Sequence, residues 1–194
     1  IDPTPVVGVV GVIDCLDRRP PGIDLVNGGS LVMLGSPSSS LGGSRWCREL
    51  RGTLGGPLPA LDLASHADLC SLVRRLAVEA LELNVVGIHD ISDGGLALAL
   101  AELCCRSMLG VVVSGVASVA ELFAELPARV VVCTNGPDES RVLAAASDAG
   151  VPAGVIGSAG GDRLVVEGLI DLPVADLRRL RSARLPDAAA QPAR

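Results

Sequence analysis

Residues 87–96, which read GIHDISDGGL, place an imidazole, two carboxylates, a hydroxyl and a glycine pair within one short segment. The polar side chains are His89, Asp90, Ser92 and Asp93. Carboxylates that share a turn with a phosphate group are usual ligands of Mg²⁺, and imidazole changes its charge near neutral pH. A glycine-rich turn that enters a helix exposes backbone N–H groups, which bind phosphate or carboxylate. The segment is therefore a candidate site for a phosphate compound with magnesium.

Each of these residues also has a structural interpretation. Ser92 or Asp93 would cap the helix that begins near Gly94, a contribution of about 1 kcal/mol. We favour this cap over a metal site at Asp90 and Asp93, because the sequence supplies a helix start but no third metal ligand. For His89 two alternatives remain open: a group that titrates or binds phosphate, and a buried neutral imidazole that bridges backbone groups.

A second glycine pair, Gly42 and Gly43, directly precedes Ser44 and Arg45. Converging N–H groups of such turns form anion sites, and the neighbouring arginine favours phosphate. Close packing of a helix on a strand explains glycine pairs equally well. The candidate nucleotide-binding residues are His89, Asp90, Ser92, Asp93, Gly94, Gly95, Gly42, Gly43 and Ser44, with Asp90 and Asp93 as candidate metal ligands.

The apolar pattern predicts the elements that must position these residues. Residues 85–88 are typical of a short buried strand, and residues 96–103 have the composition of a helix. Residues 62–83 have apolar positions at helical spacing, with Asp62 or Ser65 as the expected N-cap. Further strands are predicted at 5–14, 31–35, 110–114, 129–134, 151–157 and 163–167. The last two are expected to form a hairpin with Asp162 in its turn. Further helices are predicted at 44–50, 119–126, 137–149 and 174–182. This alternation predicts an α/β (α+β) fold, a mixed sheet with packed helices.

Composition narrows the class of protein. The net charge is −6, the aromatic content is 1%, and all 16 basic residues are arginine. An acidic chain without stacking aromatics is not expected to bind nucleic acid, and without lysine it has no P-loop lysine. The six cysteines have no metal-site spacing, so free buried thiols are expected. Because neither a membrane span nor a signal peptide is visible, we expect no membrane contact and a cytoplasmic location.

Four segments are expected along the chain. Residues 1–15 carry a terminal strand of a preceding domain, residues 16–29 form a linker, residues 30–184 form the main domain, and residues 185–194 form a flexible tail. A lone strand is stable only when it pairs with a sheet, so a partner sheet outside this chain is expected for residues 5–14. The start at Ile1 rather than Met suggests a fragment of a longer protein.

A family resemblance rests on several of these motifs. Residues 89–102, HDISDGGLALALAE, resemble the signature H-D-x-S-D-G-G-L-A-x-A-L-A-E in the last domain of the synthetase subunit of phosphoribosylformylglycinamidine synthase, a member of the aminoimidazole-ribonucleotide-synthase-like superfamily. Further matches follow in the same order at residues 2–8, 41–44, 121–123, 128–132, 150–153, 156–157 and 160–164. The resemblance covers nearly the whole chain.

The resemblance implies an ATP-dependent ligase with Mg²⁺, which converts formylglycinamide ribonucleotide and ammonia from glutamine to formylglycinamidine ribonucleotide. It implies as partners the N-terminal domains of the same synthetase, a glutaminase subunit and a small accessory subunit. In the family the catalytic histidine, most magnesium carboxylates and the nucleotide loop precede the part matched here. Where the first half of the family enzyme has E-S-Q, residues 125–127 read ELP, so this domain is expected to be structural or a secondary nucleotide site.

Two alternatives remain. The chain could be a non-catalytic interaction module that buries residues 5–13 against a partner sheet. It could also be another member of the superfamily, related to hydrogenase maturation proteins or thiamine-phosphate kinase, although His89 and residues 160–163 fit those relatives less well.

Overall fold

The computed structural model describes residues 7–12, 14, 19–53 and 55–190. In this part the chain forms seven strands and six helices. In chain order they are β1 (Ser30–Leu34), α1 (Arg45–Arg51), α2 (Leu63–Val78), β2 (Val85–Asp90), α3 (Gly95–Ser107), β3 (Val111–Val113), α4 (Val119–Phe123), β4 (Val130–Thr134), α5 (Ser140–Asp148), β5 (Ala153–Ala159), β6 (Arg163–Val166), β7 (Ile170–Pro173) and α6 (Val174–Ala190).

All seven strands belong to one sheet, in the order β2-β4-β1-β5-β3-β6-β7. Neighbours are antiparallel except β3 and β6, which are parallel. The mixed sheet predicted from the sequence is therefore confirmed.

Helices cover both faces of the central strands. On one face Val32 and Val132 pack with Leu72 and Leu76 of α2 and with buried residues of α5. On the other face Leu31 of β1 belongs to a core formed with α3, α4 and α6. Neighbouring residues of β1 therefore point into different cores, and continuous apolar runs such as residues 130–133 are the expected result.

The hairpin predicted from residues 151–157 and 163–167 is wrong. β3 lies between β5 and β6, so that the turn at Asp162 connects two strands that do not pair. Gly157 makes this insertion possible, because a Cβ there would lie 2.0 Å from the Val112 carbonyl oxygen. β6 forms its hairpin with β7 instead, a strand missed because it is short and partly exposed.

Part of the expected linker packs on the domain. Gly22 forms a parallel bridge with Gly87, and the Ile88 N–H donates to the Gly22 carbonyl at 2.9 Å. Leu25 is buried, and its N–H donates to the Ser107 hydroxyl at 2.7 Å. Residues 22–25 thus lie against β2 and the end of α3, although the arginine, proline and glycine content of residues 18–22 suggested a linker.

The predicted strand at residues 5–14 forms no ladder in its described part, residues 7–12 and 14, and Val10 is 96% exposed. Its pairing with a preceding domain remains a prediction. The rest of that segment, like Cys15, residues 16–18 and residues 191–194, lies outside the described residues.

Several helix ends differ from expectation: α2 ends at Val78 and not at residue 83, α4 ends at Phe123 and not at residue 126, and α6 extends beyond residue 182. α6 continues to Ala190, in line with the high helix propensity of the alanines at 188–190, and the flexible tail at residues 185–194 stays a prediction. The expected cap of α2 is confirmed, since the Asp62 carboxylate accepts from Ala64 N and Ser65 N. The hydroxyl and N–H of Ser65 also lower the pKa of Asp62. Among the described helices none is long and apolar enough to span a membrane.

The contact between residues 22–24 and β2 gives a stability prediction. A Cβ at Gly87 would lie 1.9 Å from the Asp24 carbonyl oxygen, whereas one at Gly154 in β5 meets nothing within 4 Å. We expect Gly87→Ala to lower the free energy of unfolding by about 2 kcal/mol through overpacking, and Gly154→Ala to leave it nearly unchanged. Urea titrations followed by circular dichroism measure both, and equal midpoints would contradict the packed position of residues 22–24.

Candidate functional site

The polar segment of residues 89–95 lies where β2 turns into α3. β2 ends at Asp90 and α3 begins at Gly95, so four residues make the connection. Ile91 points into the core, while Ser92 and Asp93 are exposed. The strand, turn and helix predicted from the sequence are therefore present, and three of the candidate polar side chains, those of Asp90, Ser92 and Asp93, reach solvent.

His89 lies between two carboxylates. Its Nδ1 is 3.2 Å from Asp90 Oδ1 and its Nε2 is 2.9 Å from Glu102 Oε2, while its side chain is only 10% exposed. The ring therefore contacts a carboxylate oxygen on each side, one at the end of β2 and one on α3. Of the two alternatives for His89, the structure shows the buried imidazole of the second, but the ring bridges the side chains of Asp90 and Glu102 and not backbone groups.

Asp90 remains a carboxylate at neutral pH. Burial acts to raise its pKa, but hydrogen bonds from Ser92 and His89 outweigh burial, and the pKa lies below its usual value. An ionised oxygen at the end of β2 is therefore available to a cation.

The favoured cap of α3 is wrong. Gly94, with φ of 79°, is the N-cap, and no side chain caps the helix. Gly95 also has a positive φ, and a Cβ there would lie 2.8 Å from the carbonyl oxygens of Leu122 and Ala124. The left-handed turn and the close approach of the end of α4 require both glycines.

The second glycine pair also has a structural role. Ser44 is fully buried and caps α1, since its hydroxyl accepts from Cys47 N at 3.3 Å and donates to the Leu41 carbonyl at 2.7 Å. A Cβ at Gly42 would lie 2.1 Å from the Pro57 carbonyl oxygen. Gly42 and Ser44 are thus explained by backbone packing and helix capping.

The two glycine segments meet at Glu125. Its Oε1 accepts from Arg45 N and from Gly94 N, both at 2.8 Å. We call these two N–H groups the anion cradle. The structure therefore brings the two predicted anion sites together, and a carboxylate of the chain itself lies where they meet. A sequence signal for Glu125 existed in residues 125–127, but nothing in it indicated which backbone groups the side chain contacts.

A cleft of about 650 Å³ opens beside this point. Its walls come from α2, the turn at residues 90–93 and residues 125–130. A smaller recess of about 400 Å³, which Arg45 and Arg48 line, adjoins it and shares Asp93 and Glu125. Asp90, Ser92 and Asp93 all line the cleft, whereas His89 lies behind it.

Arg129 is a buried charge that the sequence analysis did not single out. It is 2% exposed, and its Nη2 donates to the Ala124 carbonyl. Burial lowers its pKa, although Glu121 acts in the opposite direction. The sequence did place Arg129 directly before an apolar strand, and this position was the only indication that its charge would be buried. The contact with Ala124 fixes the backbone that leads into Glu125.

The donor set fits only one kind of magnesium site. Among the described residues no three His, Cys, Asp or Glu side chains come together as metal ligands. Mg²⁺ in enzymes commonly takes one or two carboxylates and completes its shell with water and substrate phosphates. Asp90 and Asp93, on one wall of the cleft, fit such a shared ion and do not form a closed cage.

The cysteines in the described part are free thiols, as expected. Cys47, Cys104 and Cys133 are buried, and burial raises the pKa of Cys104 to about 12. Cys70 differs from the expectation because it is exposed on α2, with its sulfur 3.7 Å from His66 Nε2.

Curated relatives match almost the whole chain. Phosphoribosylformylglycinamidine synthase subunit PurL of Granulibacter bethesdensis is 39% identical over 97% of this chain, which is 25% of that protein. The subunit of Nocardioides sp. is 40% identical over 96% of the chain and 24% of its own length. The chain therefore spans about a quarter of the length of the curated relatives it matches.

Solved structures share the fold. The Thermotoga maritima PurL structure complexed with FGAR has a TM-score of 0.66 and 21% identity, and the match covers 82% of this chain and 29% of that one. Hydrogenase maturation protein HypE has a TM-score of 0.53 at 21% identity, over 79% of this chain and 53% of its own. The model of the family described as AIR synthase related protein, C-terminal domain, matches residues 27–168. This chain belongs to that family.

Proposed function

We propose that this chain is the C-terminal part of a phosphoribosylformylglycinamidine synthase synthetase subunit. The observation that carries the proposal is the 35–40% identity to seven PurL subunits over at least 95% of the chain. The whole protein would be an ATP-dependent ligase of purine biosynthesis that forms formylglycinamidine ribonucleotide. HypE matches in fold alone, so identity favours PurL over a hydrogenase maturation protein.

Within that protein we assign this domain a structural role. Three of the candidate residues are used internally: His89 pairs with two carboxylates, Ser44 caps α1, and Gly94 is the N-cap of α3. None of them presents an unused nucleophile or base to the cleft. The chemistry therefore belongs to the three quarters of the relatives that this chain does not match.

The partners of the proposed protein follow from the same assignment. They are the N-terminal domains of the synthetase, a glutaminase subunit and a small accessory subunit, in the cytoplasm. A structural relative from Thermotoga maritima is named PurLQS, which supports an assembly of several subunits. The exposed valines of residues 7–12 support pairing with a neighbouring domain, because a single unpaired strand is not stable in water.

A second candidate function is magnesium-dependent binding of a phosphate compound such as ATP in the cleft. Asp90 and Asp93 line the same cleft wall, and Asp90 is held ionised. Thermotoga maritima PurL has been solved with ATP, ADP and AMPPCP. A bound Mg²⁺ would neutralise phosphate oxygens, while Asp90 and Asp93 would hold the ion and His89 would keep Asp90 in place.

The first prediction concerns activity. Incubated with formylglycinamide ribonucleotide, ATP, magnesium and ammonia, the isolated chain should release no ADP above background. The same chain joined to the upstream domains of a relative should support turnover. Coupled ADP assays measure both reactions. Turnover by the isolated chain would contradict the upstream location of the chemistry, and an inactive joined protein would contradict the assignment to a synthetase.

The second prediction concerns the magnesium site. Asp93→Asn should weaken Mn²⁺ or Mg²⁺-ATP binding to the chain by at least about tenfold, a typical loss when a metal site is altered. Its unfolding midpoint should not change, because Asp93 is exposed and does not cap α3. Asp148→Asn, an exposed carboxylate at the end of α5, is the control. Electron paramagnetic resonance of Mn²⁺ measures the affinity, and equal affinities in the three proteins would contradict the site.

A further inference from the structure

We propose that Glu125 is a built-in ligand of the anion cradle and closes it to external phosphate. The cradle consists of the N–H groups of Arg45 and Gly94, at the starts of α1 and α3. This contact lies within the described chain and is independent of synthetase activity in the whole protein.

The first support is that the cradle already holds an anion. Both N–H groups donate to one oxygen, Glu125 Oε1, at 2.8 Å. This is the distance of a charge-assisted hydrogen bond, and a phosphate oxygen bound to the same groups would occupy the same position. Two oxygens cannot share it, so an external anion can bind these N–H groups only after the Glu125 side chain has left.

The second support is the charge around the cradle. The N-terminal end of α3, a helix of 13 residues, favours negative charge. Arg45 and Arg48 line the recess next to Glu125. These groups attract an anion, and the chain itself supplies one. Asp93 on the rim of the same recess adds a negative charge that repels a second anion.

The third support is that the backbone beside Glu125 is held before any ligand arrives. The buried Arg129 donates to the carbonyl of Ala124, the residue directly before Glu125. Gly95 lets the carbonyl oxygens of Leu122 and Ala124 approach α3 closely. A carboxylate fixed in this way competes with an external anion at a high effective concentration, because little freedom remains to be lost when the contact forms.

The proposal separates two groups of predicted residues. Gly42, Gly43, Ser44, Gly94 and Gly95 lie around a cradle whose two N–H groups already donate to Glu125. Asp90 and Asp93 face the neighbouring cleft, where the second candidate function places a metal-bound phosphate. The proposal that Glu125 closes the cradle does not affect the proposed metal-bound phosphate at Asp90 and Asp93.

The test is anion binding by Glu125 variants of the whole chain. Inorganic phosphate and pyrophosphate are titrated into the unaltered chain, Glu125→Ala, Glu125→Gln and Glu49→Gln, and binding is followed by ³¹P and ¹⁵N–¹H NMR. Glu49 lines the same recess and carries the same charge, so its variant controls for a general change of potential. Magnesium is left out, so that the proposed metal site does not contribute.

We expect Glu125→Ala to bind pyrophosphate at least about tenfold more tightly than the unaltered chain, with shifted amide signals of Arg45 and Gly94. Glu125→Gln, which keeps an acceptor oxygen and the fold but loses the charge, should show a smaller gain. Glu49→Gln should show none.

Two outcomes would overturn the proposal. One is phosphate binding by the unaltered chain with the amide signals of Arg45 and Gly94 shifted, since the cradle would then be open. The other is no gain in affinity for a folded Glu125→Gln and no gain for Glu125→Ala. If the alanine variant fails to fold, the glutamine variant alone decides. A failed synthetase assay would leave these results untouched.

Discussion

Burial of the central strands on both faces is the constraint from which the position of every polar group follows. β1 and β4 have cores on either side, so a charged side chain there would lose its water without compensation. Charges therefore appear where strands end. His89 and Asp90 lie at the end of β2, and Arg129 lies directly before β4. The candidate site is located at this edge, whereas the buried polar residues of β1 and β4, Ser30 and Thr134, carry only uncharged hydroxyl groups.

Apolar side chains form the core, and a few hydrogen bonds at its border connect one element to another. His89 links a strand to α3 through Glu102, and Glu125 links α1 to α3 through two backbone N–H groups. Each of these contacts joins two elements that also pack near one another, and a hydrogen bond restricts their relative orientation more than apolar packing does. In this domain the polar residues of the site therefore serve to fix the relative orientation of helices, which is consistent with the structural role proposed for it.

Local patterns predicted most of the elements. Apolar spacing located α2, and valine runs located β3 and β4, because these signals depend on neighbouring residues alone. The sequence also identified both glycine turns. It could not identify their ligand, since Glu125 is 80 residues from Arg45 and 31 residues from Gly94. The pairing of β6 with β3 was not predicted for the same reason. Sequence patterns favour a hairpin between neighbouring strands, whereas β6 pairs with β3, which lies about 50 residues earlier in the chain.

The entry of the chain along β2 has a mechanical consequence. Gly22 is joined to the sheet through the Ile88 N–H, one residue before His89. A force applied to the segment before Gly22 is therefore carried by the same strand that holds His89 and Asp90. In the synthetase proposed above, a preceding domain that moves would pull on β2 through this contact, and through β2 on Asp90 at the wall of the cleft.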